Sequence, residues 1–572
     1  MGAGMCLHRL CRSVLVLLSL VVMGSGWLQA QAPGAFVRRW LHAGETSAVI
    51  YWQLESIEKS ARSYVEYGLT AAYGQQTALS GEARLAQFHR LTGLNRNSTY
   101  HYRMVNVSAG QESRSEDLTL STADIADAIH IPAEVSGPPY VLNQPNRHYV
   151  LTQNISATGS AIQINGAGVN LDLDGHTVTF GTSSSSMVFG VSLSGQGAVT
   201  VKNGHIVQGT PNGYYSAAIG SSQGGYARVI SGISTSVHGL ESYPVKLLNQ
   251  NGVDLHHNNI ISSVSEIVDR HSPGNDIVRL TQSGAGTNSI HDNLVTEGIH
   301  KGITVTGSGP VSEVSYNDIR HHSRYVNGYA LKCESASVHI HHNRVTSIGR
   351  GIHITQPSVT VNDNYLNLTG HGDLDRPQGS SDPWEIIRVE LHGIKFEGPA
   401  VTGSRVYNNF VRIIQPLPDA QWDYVPATPL NITATNPNGM NEVYDNTFIA
   451  LTEYPASQHG GYGNAGHWAC PLYFVGMTAG ASQSGNHAVY MHNNTFQSND
   501  CFVGAASGTP NMTIRIENNS FQLLTPPPLT TNRVDFYNIG SYLTGIIEAG
   551  GNTFGEVDQL APAAPGSLRR VD

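Results

Sequence analysis

His257-Asn258-Asn259-Ile260 returns as His291-Asp292-Asn293-Leu294, Tyr316-Asn317-Asp318-Ile319 and His342-Asn343-Arg344-Val345. The phrase continues as Asn362-Asp363-Asn364-Tyr365 and Tyr407-Asn408-Asn409-Phe410. With one residue added it becomes Tyr444-Asp445-Asn446-Thr447-Phe448, His492-Asn493-Asn494-Thr495-Phe496, Glu517-Asn518-Asn519-Ser520-Phe521 and Gly551-Asn552-Thr553-Phe554. Where nothing is inserted the spacing is 20 to 34 residues (342 to 362 at one limit, 257 to 291 at the other), the range of a solenoid coil. Asn suits a sharp turn between strands, because it tolerates left-handed backbone angles and bonds nearby main chain. Stacked coil on coil, such side chains can form a hydrogen-bonded ladder along the axis.

Working outward, the composition agrees. Among 572 residues only 13% are charged and 61 are Gly, a turn-rich, all-β balance. A formal charge of −10 argues against general nucleic-acid binding. His8, Arg9 and Arg12 precede an apolar run, Val14 to Met23, followed by Ala30-Gln31-Ala32, which reads as a signal peptide over residues 1–32. That run is too short to span a bilayer, so the expectation is a secreted, periplasmic or extracellular product with no membrane insertion. Cys333, Cys470 and Cys501 remain after the signal. An odd count excludes a complete disulfide framework; Cys470 and Cys501, about one coil apart, are a candidate pair, and Cys333 reads as a core residue.

Residues 33–123 form a separate unit. Ser47-Ala48-Val49-Ile50-Tyr51-Trp52, Tyr64-Val65-Glu66-Tyr67-Gly68 and Ser98 to Val105 alternate as strands should. The Leu94…Thr99-Tyr100-x-Tyr102 phrase resembles the tyrosine corner of fibronectin type III domains, which implies a β-sandwich that spaces, docks or binds. Residues 124–148, with Pro132, Pro138, Pro139 and Pro145, read as a stiff linker. From 149 to 556, phrases such as Val169-Asn170-Leu171-Asp172-Leu173-Asp174-Gly175 and Val199-Thr200-Val201-Lys202-Asn203-Gly204 resemble the right-handed parallel β-helix of the pectate-lyase-like superfamily. Residues 557–572 are a tail. The fold class expected is therefore all-β, a fibronectin type III-like β-sandwich followed by a right-handed parallel β-helix solenoid.

Upstream of most turns a short strand is set in register by alternating apolar residues, so its middle residue points outward. Down that middle column run Lys246, Arg279, Thr304, Lys332, His353, Lys395, Asn431 and Tyr473, with Lys301, Arg350 and His392 just before the strands. At about 4.8 Å per coil this is a cationic stripe along the axis. The next outward column holds Thr281, Thr306, Glu334, Thr355, Glu397 and Thr433; a Thr ladder is ordinary, whereas Glu334 and Glu397 stand out. Long insertions at 366–390, 412–428 and 450–487 carry Trp384, Trp422 and Trp468, with His371, Asp373, Asp375 and Arg376. Flat aromatics beside polar groups suit sugar rings.

Cations at coil spacing point to an extended uronic-acid polysaccharide and to β-elimination, in which a base removes the proton α to the carboxyl and cations stabilise the charge that develops. The column resembles, in fold and type of site, lyases of the chondroitinase-B and alginate-lyase type, where a Lys–Arg pair or a calcium-assisted Lys does this work. Lys395 is the first choice of base, because the insertions flank its coil, and Lys332 the second. Arg279, Arg350, His353 and His392 would then bind carboxylates or supply the acid; Lys301, Trp384, Trp422, Trp468 and Tyr473 complete the substrate-binding set. Two alternatives stand beside this. Glu334 and Glu397, two coils or about 9–10 Å apart, could be an inverting glycosidase pair. Gly370-His371-Gly372-Asp373-Leu374-Asp375 resembles the Gly-His-Gly signature of polygalacturonases, without an Asp-Asp pair on the preceding coil. A non-catalytic glycan-binding or adhesin β-helix is the third. The partner expected is a polysaccharide and the chain is expected to act as a monomer. Calcium held by Asp373, Asp375 or Glu334 stays open, and the many turn histidines (His256, His257, His291, His321, His322, His339, His341, His342, His492) read as ladder residues rather than ligands.

Overall fold

The computed structural model describes residues 35–183, 187–195, 197–209, 215–221, 223–239, 242–263, 276–298, 301–309, 312–322, 328–370, 391–415, 427–433, 435–437, 439–453, 469–475, 487–500, 502–506, 512–524 and 546–557. Two antiparallel sheets come first. One holds Phe36–Ala43, Ser47–Leu54 and Ala86–Thr92; the other holds Arg62–Gly68, Thr99–Ser108 and three shorter strands. Ala48, Ile50 and Trp52 from the first meet Val65, Tyr100, Tyr102 and Met104 from the second in one core. Tyr100 Oη accepts the Asn95 N–H at 2.9 Å, closing the expected corner.

The second unit is a parallel β-helix. Each strand pairs in parallel with its equivalent one coil later, as Tyr329–Glu334 does with Arg350–Ile354, and that strand with Leu391–Glu397. Inward side chains, Ile and Val above all, form one continuous core along the axis. The first coil starts earlier than the sequence placed it. Ile129–Ile131 pairs with His148–Leu151, and Tyr140–Leu142 with Ile162–Ile164. The prolines of 124–148 thus punctuate turns between short strands instead of stiffening a free connector. Cys333 is buried and free, its thiol pushed up to about 12 by burial, which makes it inert. Cys470 is disulfide-bonded; Cys501, the expected partner, lies outside the described residues.

The Asn ladder is complete from Asn258 through Asn293, Asn317, Asn343, Asn364, Asn409, Asn446, Asn494 and Asn519 to Asn552. Each Nδ2 donates to the next Oδ1 at 2.9–3.2 Å. The left-handed residue is the one before each ladder Asn. In most coils it is Asn, Asp or Gly, but three coils place His257, Tyr316 and His342 there, at φ of 53°, 54° and 53°. A bulky residue in this region costs about 1–2 kcal/mol.

The β-sandwich explains the first two exceptions, because it sits on those turns, and His342 in turn stacks on Tyr316. Trp40 stacks on His257 with centroids 4.9 Å apart, and the Arg38 guanidinium lies 3.4 Å above the Tyr316 ring. Arg38 also forks onto Asp292 with two bonds of 2.5 Å, while Leu85 and Ala86 donate main-chain N–H to Asp318. Further along the axis Asp174 accepts from Thr46 and Ser47. The histidines belong to this packing: His256 stacks on His291 at 5.2 Å. Among the described residues no group of three or more His, Cys, Asp or Glu side chains could hold a metal ion.

His291 carries a consequence for pH. Burial opposes its charge, but Asp254 at 3.0 Å and Asp292 at 2.7 Å outweigh that and raise it to about 9. A raised folded-state value stabilises fully below the ordinary 6.5 and is lost as pH rises through about 9. The melting temperature is therefore expected to fall across that window, and calorimetry of His291→Gln should show the fall removed.

Candidate active site

Eight consecutive coils deliver one residue each to an outer wall. The pairs Lys246–Arg279, Arg279–Thr304, Thr304–Lys332, Lys332–His353, His353–Lys395, Lys395–Asn431 and Asn431–Tyr473 are in direct parallel register. Their flanking residues, such as Ile352, Ile354, Ile394 and Phe396, lie in the core, so the middle column faces outward. Alternation does this: with a period of two, both apolar neighbours turn inward and the residue between them cannot.

A second column joins the same wall three residues earlier, through Asp276, Lys301, Tyr329, Arg350, His392 and Thr428, with pairs 276–301, 329–350 and 392–428. Gly302, Ala330, Gly351 and Gly393 follow four of them. A Cβ on Gly351 would meet the Gly393 carbonyl at 2.3 Å, and one on Gly393 would meet Val411 Cγ1 at 2.3 Å. These small residues let the coils approach where the chain turns into the strand. Both columns meet in space: Arg279 bonds Asp276 at 3.1 Å, and His392 Nδ1 lies 3.3 Å from Asn431 Nδ2. Tyr329 stacks on His353 with centroids 4.4 Å apart, and Arg350 lies 5.2 Å over the Tyr329 ring. Of this column the sequence reading took the basic members and missed Asp276, Tyr329 and Thr428.

Among the described residues the two columns carry six cations, Lys246, Arg279, Lys301, Lys332, Arg350 and Lys395, in a chain that is acidic overall, and three carboxylates lie among them. Lys332 Nζ is 2.6 Å from Glu334, Lys395 Nζ 3.1 Å from Glu397, and Lys301 Nζ 3.7 Å from Asp276. His353 Nε2 lies 2.7 Å from Glu397 Oε2. His353 is only 4% exposed, and burial lowers it to about 4 despite Glu397, so it is neutral at pH 7. The His353 ring and Lys395 hold the Glu397 carboxyl far below the usual range. Burial pushes Glu334 up, but the bond from Lys332 and the neighbouring cations bring it below its ordinary value. Burial raises Asp276 and lowers Lys301.

The expected aromatic set divides. Tyr473 closes the column, whereas Trp384, Trp422 and Trp468, together with His371, Asp373 and Asp375, lie outside the described residues.

No protein-family model and no curated protein matches the chain. Among solved structures, a Family 28 exopolygalacturonase from Yersinia enterocolitica aligns over 92% of this chain and 99% of its own, at 11% identity and a TM-score of 0.29. A pectate lyase from Pectobacterium carotovorum aligns over 65% of this chain and 89% of its own, at 12% identity and a TM-score of 0.14. A fibronectin type III domain of a human fibronectin type III domain containing protein aligns over 17% of this chain and 93% of its own, at 21% identity and a TM-score of 0.14. Scores this low carry no activity across. What fold and wall define is a β-sandwich docked on a parallel β-helix that presents a cation-rich double column.

Proposed function

We propose that the chain is a secreted polysaccharide lyase that cleaves a uronic-acid-containing polymer by β-elimination. The observation that carries this is a buried, neutral imidazole, His353, set between Lys332 and Lys395 one coil to either side. A base for proton removal must be unprotonated at working pH, and cations beside it must take up the charge that develops on the substrate carboxylate. His353 meets the first demand. Lys395, the sequence's first choice of base, is in contact with Glu397, and Lys332, its second, with Glu334. Ammonium groups paired in this way suit charge stabilisation, so the roles are reassigned: His353 is the base, while Lys332, Lys395 and Arg279 bind the carboxylates of successive sugars.

The glycoside hydrolase alternative needs one carboxyl held protonated to donate to the leaving oxygen. Glu334 and Glu397 are both shifted the other way, which disfavours that pair. The test is a panel of acidic and neutral polysaccharides read for ultraviolet absorbance of the unsaturated product and for reducing ends. Both signals should rise together on uronate polymers. Reducing ends without absorbance would overturn the lyase reading for a hydrolase; neither signal would favour glycan binding alone.

A further inference from the structure

Five buried side-chain atoms on four consecutive coils of the wall have no hydrogen-bond partner among the described residues: Asp276 Oδ1, Thr304 Oγ1, Tyr329 Oη and both ring nitrogens of His353, whose Nε2 approaches Glu397 without hydrogen-bond geometry. A buried polar atom with nothing to bond is destabilising, and a run of such atoms on one wall calls for a ligand to complete it. Tyr329 is the telling member. It is fully buried, its ring is stacked on the base, and the Arg350 guanidinium lies 5.2 Å from its ring centroid. Packing fixes the ring beside His353, and its phenol is left without a hydrogen-bond partner among the described residues.

We propose that Tyr329 is the catalytic acid of the elimination, that it works from the same side of the sugar as His353, and that the substrates are therefore uronates of gluco or manno configuration. This rests on the lyase reading above. In the step, His353 takes the proton from the ring carbon bearing the carboxylate. That C–H electron pair becomes the new carbon–carbon double bond as the adjacent carbon–oxygen bond breaks. The departing oxygen takes the Tyr329 proton, and imidazolium and phenolate are reset by exchange with water. Because acid and base are stacked neighbours on one wall, both address one face of the sugar ring, which is a syn elimination. In D-glucuronate and D-mannuronate the acidic C–H and the leaving oxygen share a face. In D-galacturonate, L-guluronate and L-iduronate they lie on opposite faces, out of reach of a pair on one side.

The experiment uses the whole chain on hyaluronan, heparosan and polymannuronate against polygalacturonate and polyguluronate, with wild type and Tyr329→Phe. The expected results are unsaturated product from the first group only, and a fall of about 10²–10⁴-fold in kcat for Tyr329→Phe at similar KM. Phe keeps the stack and removes only the orphan hydroxyl, so its melting temperature should not drop. An aryl ether at the leaving position, which departs without protonation, should restore Tyr329→Phe and leave a His353→Gln variant inactive. Turnover confined to the second group, or wild-type kcat in Tyr329→Phe, overturns this proposal while the lyase reading stands. Absence of unsaturated product from every polymer overturns both.

Discussion

Replacing His353 by Gln is expected to lower the rate of double-bond formation by about 10²–10⁴-fold, the usual worth of a positioned general base, with the fold retained. The pH profile gives an independent check. The folded-state value is depressed to about 4, so the imidazole is neutral and competent above that point and lost to protonation below it. Wild-type kcat/KM should accordingly fall on the acid side with a midpoint at about 4. A midpoint near the ordinary histidine value would remove His353, and an alkaline one would return the role to a lysine. Unfolding enters the same window. Burial also lowers His89 to about 4, His257 to about 3 and, with neighbouring histidines assisting, His341 to about 4. Between the ordinary 6.5 and those values the unfolded chain binds more protons, so stability falls as pH falls. Rates near the midpoint therefore need a control in which enzyme is returned to neutral pH and recovers.

The middle column was legible because each of its members stands between two apolar residues, a local pattern that fixes direction without any distant contact. The second column was legible only in part. Lys301-Gly302-Ile303-Thr304, Arg350-Gly351-Ile352-His353 and His392-Gly393-Ile394-Lys395 share a polar–small–apolar–polar form, and that spacing is the signal for two outward residues per coil. Asp276 and Tyr329 occupy the same position in Asp276-Ile277-Val278-Arg279 and Tyr329-Ala330-Leu331-Lys332, yet being neither basic nor followed by Gly they did not stand out. The choice between Lys395 and His353 as base turns on something no local pattern carries. The contact of Lys395 with Glu397 and the burial of His353 are tertiary facts, and they decide which group carries a proton. The docking of the sandwich left the faintest trace. Arg38 and Asp292 are 254 residues apart, and the one local hint was an aromatic at turns where Asn, Asp or Gly would be cheaper.

The ladder makes the second large prediction. Asn343 Nδ2 donates to Val314 O at 2.7 Å and to Asn364 Oδ1 at 3.0 Å, and its Oδ1 accepts from Asn317 N at 3.1 Å and Asn317 Nδ2 at 2.9 Å. Truncation to Ala strands two donors and a carbonyl in the dry interior. At about 1–3 kcal/mol for each buried group left unpaired, and with some relief from water entry, Asn343→Ala should cost about 3–5 kcal/mol in denaturant unfolding. Asn552 closes the ladder, half-buried, so the same change there should cost only about 1 kcal/mol or less, since water can replace it. Coils contact only their neighbours, so faster amide exchange in Asn343→Ala should concentrate in the strands Ser312–Ser315, Val338–His341 and Thr360–Asn362. Equal costs at the two positions would mean that the sheet hydrogen bonds alone hold the coils together and that the Asn repeat serves only to turn the chain. A large, localised loss at Asn343 would instead make the ladder the element that keeps successive coils in register, and with them the residues of the wall.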